Sequence, residues 1–447
     1  MRTRREFVRD LGCGLGATAF LSAFDRFSRV EAAMAAATDY KALVCVFLYG
    51  GNDGNNTVIP YDDYASYAAV RGSALNIPQA SILKVDAASQ GAAFGLHPAL
   101  TDFQTLYTQG KLAVLANVGT LAAPVTRSQY LAGSARPDSL FSHSDQQSQW
   151  QSSIVRSQDR LSPTGWGGRM ADVLAGLNAT TFPMMVSTSG IPVFARGVTS
   201  YPVVPGAALQ GFPTGNAVAT ARLAAFRKLL TLEGKETLVG AAGAVTSAAI
   251  DNSAVLNAAL AKGATLATTF PGTSIGRQFQ QVAGILSIRG DLRINRQIFF
   301  VSLGGFDTHT NEISTQQNLF TQLNAAVKAF YDATVELGIA DSVTTFTLSD
   351  FGRTFQPASG GGSDHAWGSH HFILGGSVKG GDFYGTFPDL ALKGPDDSSN
   401  EGRWIPTTSV DQYAATLAQW YGLDAATVPA VFPGIGRFAS SHLGFLP

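Results

Sequence analysis

The sequence predicts an α/β fold, with a mostly parallel central sheet and helices on both of its faces. Three observations carry this. Unbroken apolar runs of strand-forming residues recur along the chain, each closed by glycine or a short polar loop. A strand that loses the polar–apolar alternation is buried on both faces, which is the mark of a parallel sheet. Helical patterns lie between the runs, the order expected of βα units. Glycine is plentiful (48 of 447 residues) while charged residues make up only 14%, a composition that fits a large α/β domain with many tight turns and not a coiled or disordered chain.

The first strand is read at Ala42–Leu48 and runs into Gly50-Gly51-Asn52-Asp53. Ala99–Tyr107 then reads as a helix, and Lys111–Val118 as a second strand that ends at Gly119. Pro183–Ser187 is a shorter strand. Residues 215–290 change texture: alanine, leucine and polar helix formers dominate, and a helical insertion is expected there. Gln297–Leu303 resumes the strand pattern and leads into Gly304-Gly305-Phe306-Asp307-Thr308-His309. Apolar residues at Leu319, Leu323, Val327, Phe330 and Val335 mark a helix over Leu319–Leu337 that stops at Gly338. Ser342–Leu348 leads into Ser349-Asp350-Phe351-Gly352-Arg353-Thr354, His371–Leu374 is a last strand, and Val410–Tyr421 a last helix.

The N-terminus reads as an address. Arg4-Arg5 followed by Phe7 is the signal of twin-arginine export. The apolar stretch after it, Leu11–Phe24, is too short and too diluted by glycine and alanine to span a membrane. Small residues at 32–37 suit cleavage after Ala37, so residues 1–37 are expected to be a signal peptide and 38–447 a single α/β domain, periplasmic or extracellular. That cleavage removes six basic and four acidic residues and takes the net charge from −1 to −3. Such a chain offers no basic patch for nucleic acid and no polybasic run for a membrane surface. Cys13 falls in the leader and Cys45 in the first apolar run, so no disulfide framework is expected. No G-x-G-x-x-G turn follows the first strand, which sets a dinucleotide-dependent redox enzyme aside.

In open α/β sheets ligands bind beyond the carboxyl ends of the strands. Asp53, Asp307 with His309, and Asp350 each follow a strand, and Asp364-His365 comes soon after. Oxygen and imidazole donors at one sheet edge suit a divalent cation: zinc, manganese, magnesium or calcium. An aspartate after a strand also serves as a turn former or helix cap. His371 opens an apolar run and reads as a buried, hydrogen-bonded histidine, and His97 and His442 as structural ones. Arg353 has two readings, a clamp for an oxyanion or an ion-pair partner that holds its loop.

These motifs, with Val378-Lys379-Gly380-Gly381 and Thr164-Gly165-Trp166, resemble the bacterial family called domain of unknown function 1501, from about Tyr40 to the end. That family is in turn distantly similar to the alkaline phosphatase and sulfatase superfamily. The resemblance implies one or two divalent ions held by Asp53, Asp307, His309, Asp350, Asp364 and His365. It further implies a nucleophile at Ser142 with His143 as its base, since Ser142-His143 followed by Trp150-Gln151 matches a spacing in the family, although Ser142 also reads as a plain loop serine. Arg353 would then stabilise charge on the transferring group. Phe351 stands where the superfamily has a histidine, which implies that one metal position has lost a ligand.

Two functions follow. One is an exported, metal-dependent hydrolase of phosphate or sulfate esters, with a small-molecule ester as substrate and the twin-arginine translocase as its partner in export. The other is a non-catalytic exported binding or assembly protein on a degenerate sulfatase-like fold.

Overall fold

The computed structural model describes residues 40–156, 164–205, 215–231, 237–263 and 265–447. Residues 1–37, expected to be a twin-arginine leader, lie outside the described residues. Eleven strands are described: β1 (Lys41–Tyr49), β2 (Val58–Pro60), β3 (Leu83–Ala87), β4 (Ala92–Leu96), β5 (Leu112–Gly119), β6 (Met185–Ser187), β7 (Arg296–Gly304), β8 (Val343–Ser349), β9 (Ser369–Gly375), β10 (Phe383–Tyr384) and β11 (Thr408–Ser409). The main sheet runs β10-β5-β9-β8-β1-β7-β6, with β11 alongside β5. The pairings of β1 with β7 and β8, of β6 with β7, and of β5 with β10 and β11 are parallel. Among the described strands of this sheet only β9 runs antiparallel, against both β5 and β8. The strand expected at 371–374 therefore forms two residues earlier and points the opposite way to its neighbours.

The unbroken apolar character of β1 has its cause in two cores. Ala42, Val44, Val46 and Leu48 face one of them, and Leu43, Cys45 and Phe47 the other. With period-2 alternation, both faces of the strand must be apolar when both are covered. On the first face lie α2 (Thr101–Thr108), α7 (Ser274–Ser287) and α8 (Glu312–Glu336), numbering the longer helices from α1 (Tyr64–Leu75). On the second lie α3 (His143–Ser152), α4 (Trp166–Leu174) and α9 (Val410–Tyr421). A capping box joins Ser409 and Gln412 at the start of α9.

The region expected to be a helical insertion holds α5 (Ala217–Leu229), α6 (Thr237–Leu260) and α7. Of these α7 belongs to the first core through Ile275, Phe279 and Val282. Within α6, Val239–Leu260 is long and apolar enough by length and composition to cross a bilayer, while Leu256 and Ala259 pack into that same core. The small antiparallel sheet β2-β4-β3 has no counterpart in the sequence pattern, because its strands are short and interrupted by Gly95 and polar residues.

Candidate metal centre

Strand direction brings the functional loops to one edge. β1, β7 and β8 are parallel and end at Tyr49, Gly304 and Ser349, so the loops that follow them share that edge. β9 returns antiparallel beside β8, so the connection carrying Asp364 and His365 stays there too. β5 runs antiparallel to β9 and hence along β8, and the chain after it reaches the same edge before α3 opens at His143.

Three imidazoles and one carboxylate meet there. The Nε2 atoms of His143, His309 and His365 lie 3.4, 3.1 and 3.4 Å from Asp307 Oδ1. His309 Nε2 and His365 Nε2 are 3.0 Å apart. Ligand atoms of His143, Asp307 and His365 all fall within 4.8 Å of one another. The opposite ring nitrogen of each histidine is engaged from behind. His365 Nδ1 donates to the carbonyl of Phe141 at 2.7 Å, His143 Nδ1 to Asp350 Oδ2 at 2.7 Å, and His309 Nδ1 to Asp364 Oδ1 at 3.2 Å. A carbonyl can only accept, so the Phe141 contact puts the His365 proton on Nδ1 and leaves a lone pair on Nε2. The carboxylates act likewise on the other two rings, the arrangement by which metal-ligating histidines are oriented. Lone pairs then converge on one point, and His143 Nε2 is buried with no hydrogen-bond partner. A cation satisfies such a set, and imidazole nitrogens with one carboxylate oxygen suit zinc or a similar transition metal better than magnesium or calcium.

Electrostatics agree. Burial raises the Asp307 carboxyl, but the hydrogen bond and charge of Arg353, then His143 and His309, bring it below the ordinary carboxylate range. Burial lowers His365, with Arg353 and His143 adding to the effect. Both shifts favour the forms that coordinate a cation, an ionised carboxylate and a neutral imidazole. Asp350 is fully buried and burial raises it; Gln147 donates to the same oxygen as His143, at 2.8 Å.

The residues expected at the site divide into groups. Asp307, His309 and His365 are brought together as donors. Asp350 and Asp364 stand behind histidines, with no contact to the convergence point. Asp53 is turned away: its Oδ1 accepts from the Asn55 amides at 3.0 and 3.1 Å, and its Oδ2 takes the guanidinium of the buried Arg71. The turn-former role of such an aspartate is the one realised, because the cap of the helical turn Gly54–Thr57 uses it. Arg353 is also not free to clamp a substrate. It is fully buried and donates to the carbonyls of Gly51 (2.8 Å), Ser363 (3.0 Å), Phe306 (3.0 Å) and Gly50, and to Asp307 Oδ1 at 2.6 Å. Ser142 donates to Asp145 Oδ2 at 2.7 Å and not to His143. With Nδ1 on Asp350 and Nε2 on the donor cluster, His143 has no nitrogen left for the serine, so the Ser142–His143 pair does not form. His143 as a donor was missed; the signal available was its position at the head of a helix after a strand-end loop. Phe351, where a histidine was expected, packs its ring 4.9 Å from His143 and 4.6 Å from His365 and walls the cluster.

A family model described as "Protein of unknown function (DUF1501)" matches residues 40–428. No curated protein matches. Among solved structures, the chain is similar to one described as "Metabolism of multiple glycosaminoglycans by bacteroides thetaiotaomicron is orchestrated by a versatile core genetic locus". That likeness has 10% sequence identity, covers 88% of this chain and 74% of that one, and has a TM-score of 0.37, too loose to bear on the site.

Proposed function

The chain belongs to the DUF1501 family, and from the site's geometry we propose that it is a cation-dependent ester hydrolase, exported and active outside the cytoplasm. The observation that carries the reading is the convergence of three imidazole Nε2 atoms on Asp307 Oδ1, each ring braced from behind. The donor set suits one cation of the zinc class, not two, because Asp53 is committed to Arg71 and Asn55. When bound, such an ion supplies Lewis acidity that polarises an ester oxygen and activates a water. The residues themselves do the rest. Asp307 supplies the negative charge that holds the ion, Arg353 fixes Asp307 in place, and Asp350, Asp364 and the Phe141 carbonyl set the ring orientations. Water is the attacking group in this reading, since Ser142 lacks a base. The cluster is open to solvent, with Asp307 48% and His309 45% exposed, so water and substrate reach it. The motif resemblance makes phosphate and sulfate esters the class to test first.

The test is elemental analysis of the purified protein together with hydrolysis of aryl phosphates and aryl sulfates. The expected result is about one equivalent of zinc or a similar metal, with turnover that Asp307→Ala and His365→Ala each lower by ~100-fold or more. Protein free of metal, with hydrolysis unchanged in Asp307→Ala, would overturn the reading. One metal bound with no turnover on any ester selects the binding or assembly function instead.

A further inference from the structure

We infer that Glu312 is a positioning residue for this cation site, a single buried carboxylate that ties together the two loops bearing three of its four donors. The inference rests on the cation reading above. Glu312 is fully buried at the first residue of α8. Its Oε2 accepts from Thr308 Oγ1 at 3.0 Å and from Ser363 Oγ. Thr308 sits between Asp307 and His309, and Ser363 directly precedes Asp364-His365. Its Oε1 accepts from Arg71 Nη2 at 3.1 Å.

The main chain shows how closely these loops are joined. Ser363 N donates to Thr308 O at 3.1 Å, and Glu312 N to Gly361 O at 3.0 Å. A Cβ on Gly362 would come within 2.2 Å of the His309 carbonyl. The two loops are thus in contact, and the carboxylate supplies the side-chain half of the seam. Arg71 extends it. Its Nη1 donates to the carbonyls of Thr354 and Phe355, at 3.2 Å each, and Nη2 also reaches Asp53. The chain that follows Arg353 is therefore held by the same buried group. Neither Glu312 nor Arg71 touches a donor nitrogen, so both act through others.

A carboxyl group with two accepting oxygens is what this position needs. Burial, with the neighbouring Asp53, pushes its pKa up to about 8 against the opposing pull of Arg71 and Ser363. Its two oxygens accept from a guanidinium on one side and from two hydroxyls on the other. Donors in a metal site must be held within about 0.5 Å of the productive geometry. If the seam is loosened, the loops have to be ordered at the moment of binding, and affinity falls by that cost.

The experiment uses the full chain with Ser363→Ala, Thr308→Val, Thr308→Ser and Glu312→Gln. It measures zinc affinity by competition with a chromophoric chelator, and thermal melting of the chelator-treated protein. Expected are zinc affinities lowered ~10-fold or more in Ser363→Ala and Thr308→Val, restored in Thr308→Ser, and lowered also in Glu312→Gln, whose amide nitrogen cannot accept from Arg71. The chelator-treated Ser363→Ala and Thr308→Val proteins should melt only a few degrees below wild type, the cost of about one unmade buried hydrogen bond each. Should Glu312→Gln fail to fold, the two hydroxyl variants carry the test. Wild-type affinity in both hydroxyl variants would overturn the positioning role and leave the cation reading intact. So would a loss of unfolding free energy in the chelator-treated variants as large as the whole loss of binding free energy, since that marks general support of the fold. A wild-type protein that takes up no zinc removes the cation reading itself, and the positioning role with it.

Discussion

Arg353 is the residue on which the site's loops turn. Its guanidinium meets carbonyls from three segments, Gly50-Gly51, Phe306 and Ser363, and compensates the charge of Asp307. Removing it leaves the carbonyls of Gly50, Gly51 and Ser363 without their guanidinium donor and takes a cation from Asp307, a loss of ~3 kcal/mol or more. Arg353→Gln is therefore expected to lower the unfolding free energy by about that amount, and the urea midpoint with it, with or without chelator. A group acting only on substrate would leave the midpoint in place. Ser142 gives the opposite expectation. Its hydroxyl is held by Asp145 at the head of α3, so Ser142→Ala should keep turnover within about threefold of wild type, whereas His143→Ala should lose metal and turnover together. Kinetics with a measured metal content separate the two. At this scale the sequence identified which residue types crowd the strand ends. It did not show that Arg353 faces inward or that His143 turns from Ser142, since a side chain's direction depends on neighbours hundreds of positions away.

The element that matters most is the end of β1. Gly50 has a φ of +116°, and a Cβ there would sit 2.3 Å from the backbone nitrogen of Asp307. Left-handed backbone and a main-chain neighbour both exclude any side chain. Gly50→Ala is expected to cost ~2 kcal/mol or more, because a backbone neighbour cannot swing aside as a side chain can. It should also displace Asp307, so a drop in zinc affinity accompanies the drop in urea midpoint. The strand run ending in Gly50-Gly51 was legible from the sequence. The direction of β9 was not, because apolar residues pack equally well in either sense. That reversal is what keeps Asp364 and His365 on the site's edge.

At the scale of the whole molecule, three histidines outside the centre govern acid stability. Burial lowers His97 to about 4, and His370 and His371 to about 3 each. The unfolded chain takes protons on all three as pH falls below about 6.5, while the folded protein leaves them neutral. Stability present above pH 6.5 is thus lost as pH falls toward 4, by up to ~4 kcal/mol per pH unit when all three contribute. Asp411 works the other way. Burial raises it to about 7, so its contribution, present below the ordinary carboxylate range, is lost as pH rises toward 7. Thermal melts from pH 4 to 8 should show a maximum near pH 6 to 7 and a steep acid limb. A flat profile between pH 6.5 and 5 would contradict the assignment of neutral buried histidines.

From the sequence alone came the alternation of apolar runs with helical patterns, the glycine turns that close the strands, and the kinds of donor gathered near them. These are local properties, written in residue periodicity and turn chemistry over a few positions. Tertiary structure alone decided that His143 joins Asp307, His309 and His365, that Asp53 belongs to Arg71, and that Asp350 and Asp364 stand behind imidazoles. The physical reason is that coordination depends on where individual atoms meet in space. Strand order, strand direction and the buried partners of each loop set those positions, and none of them is encoded within the span of a single motif.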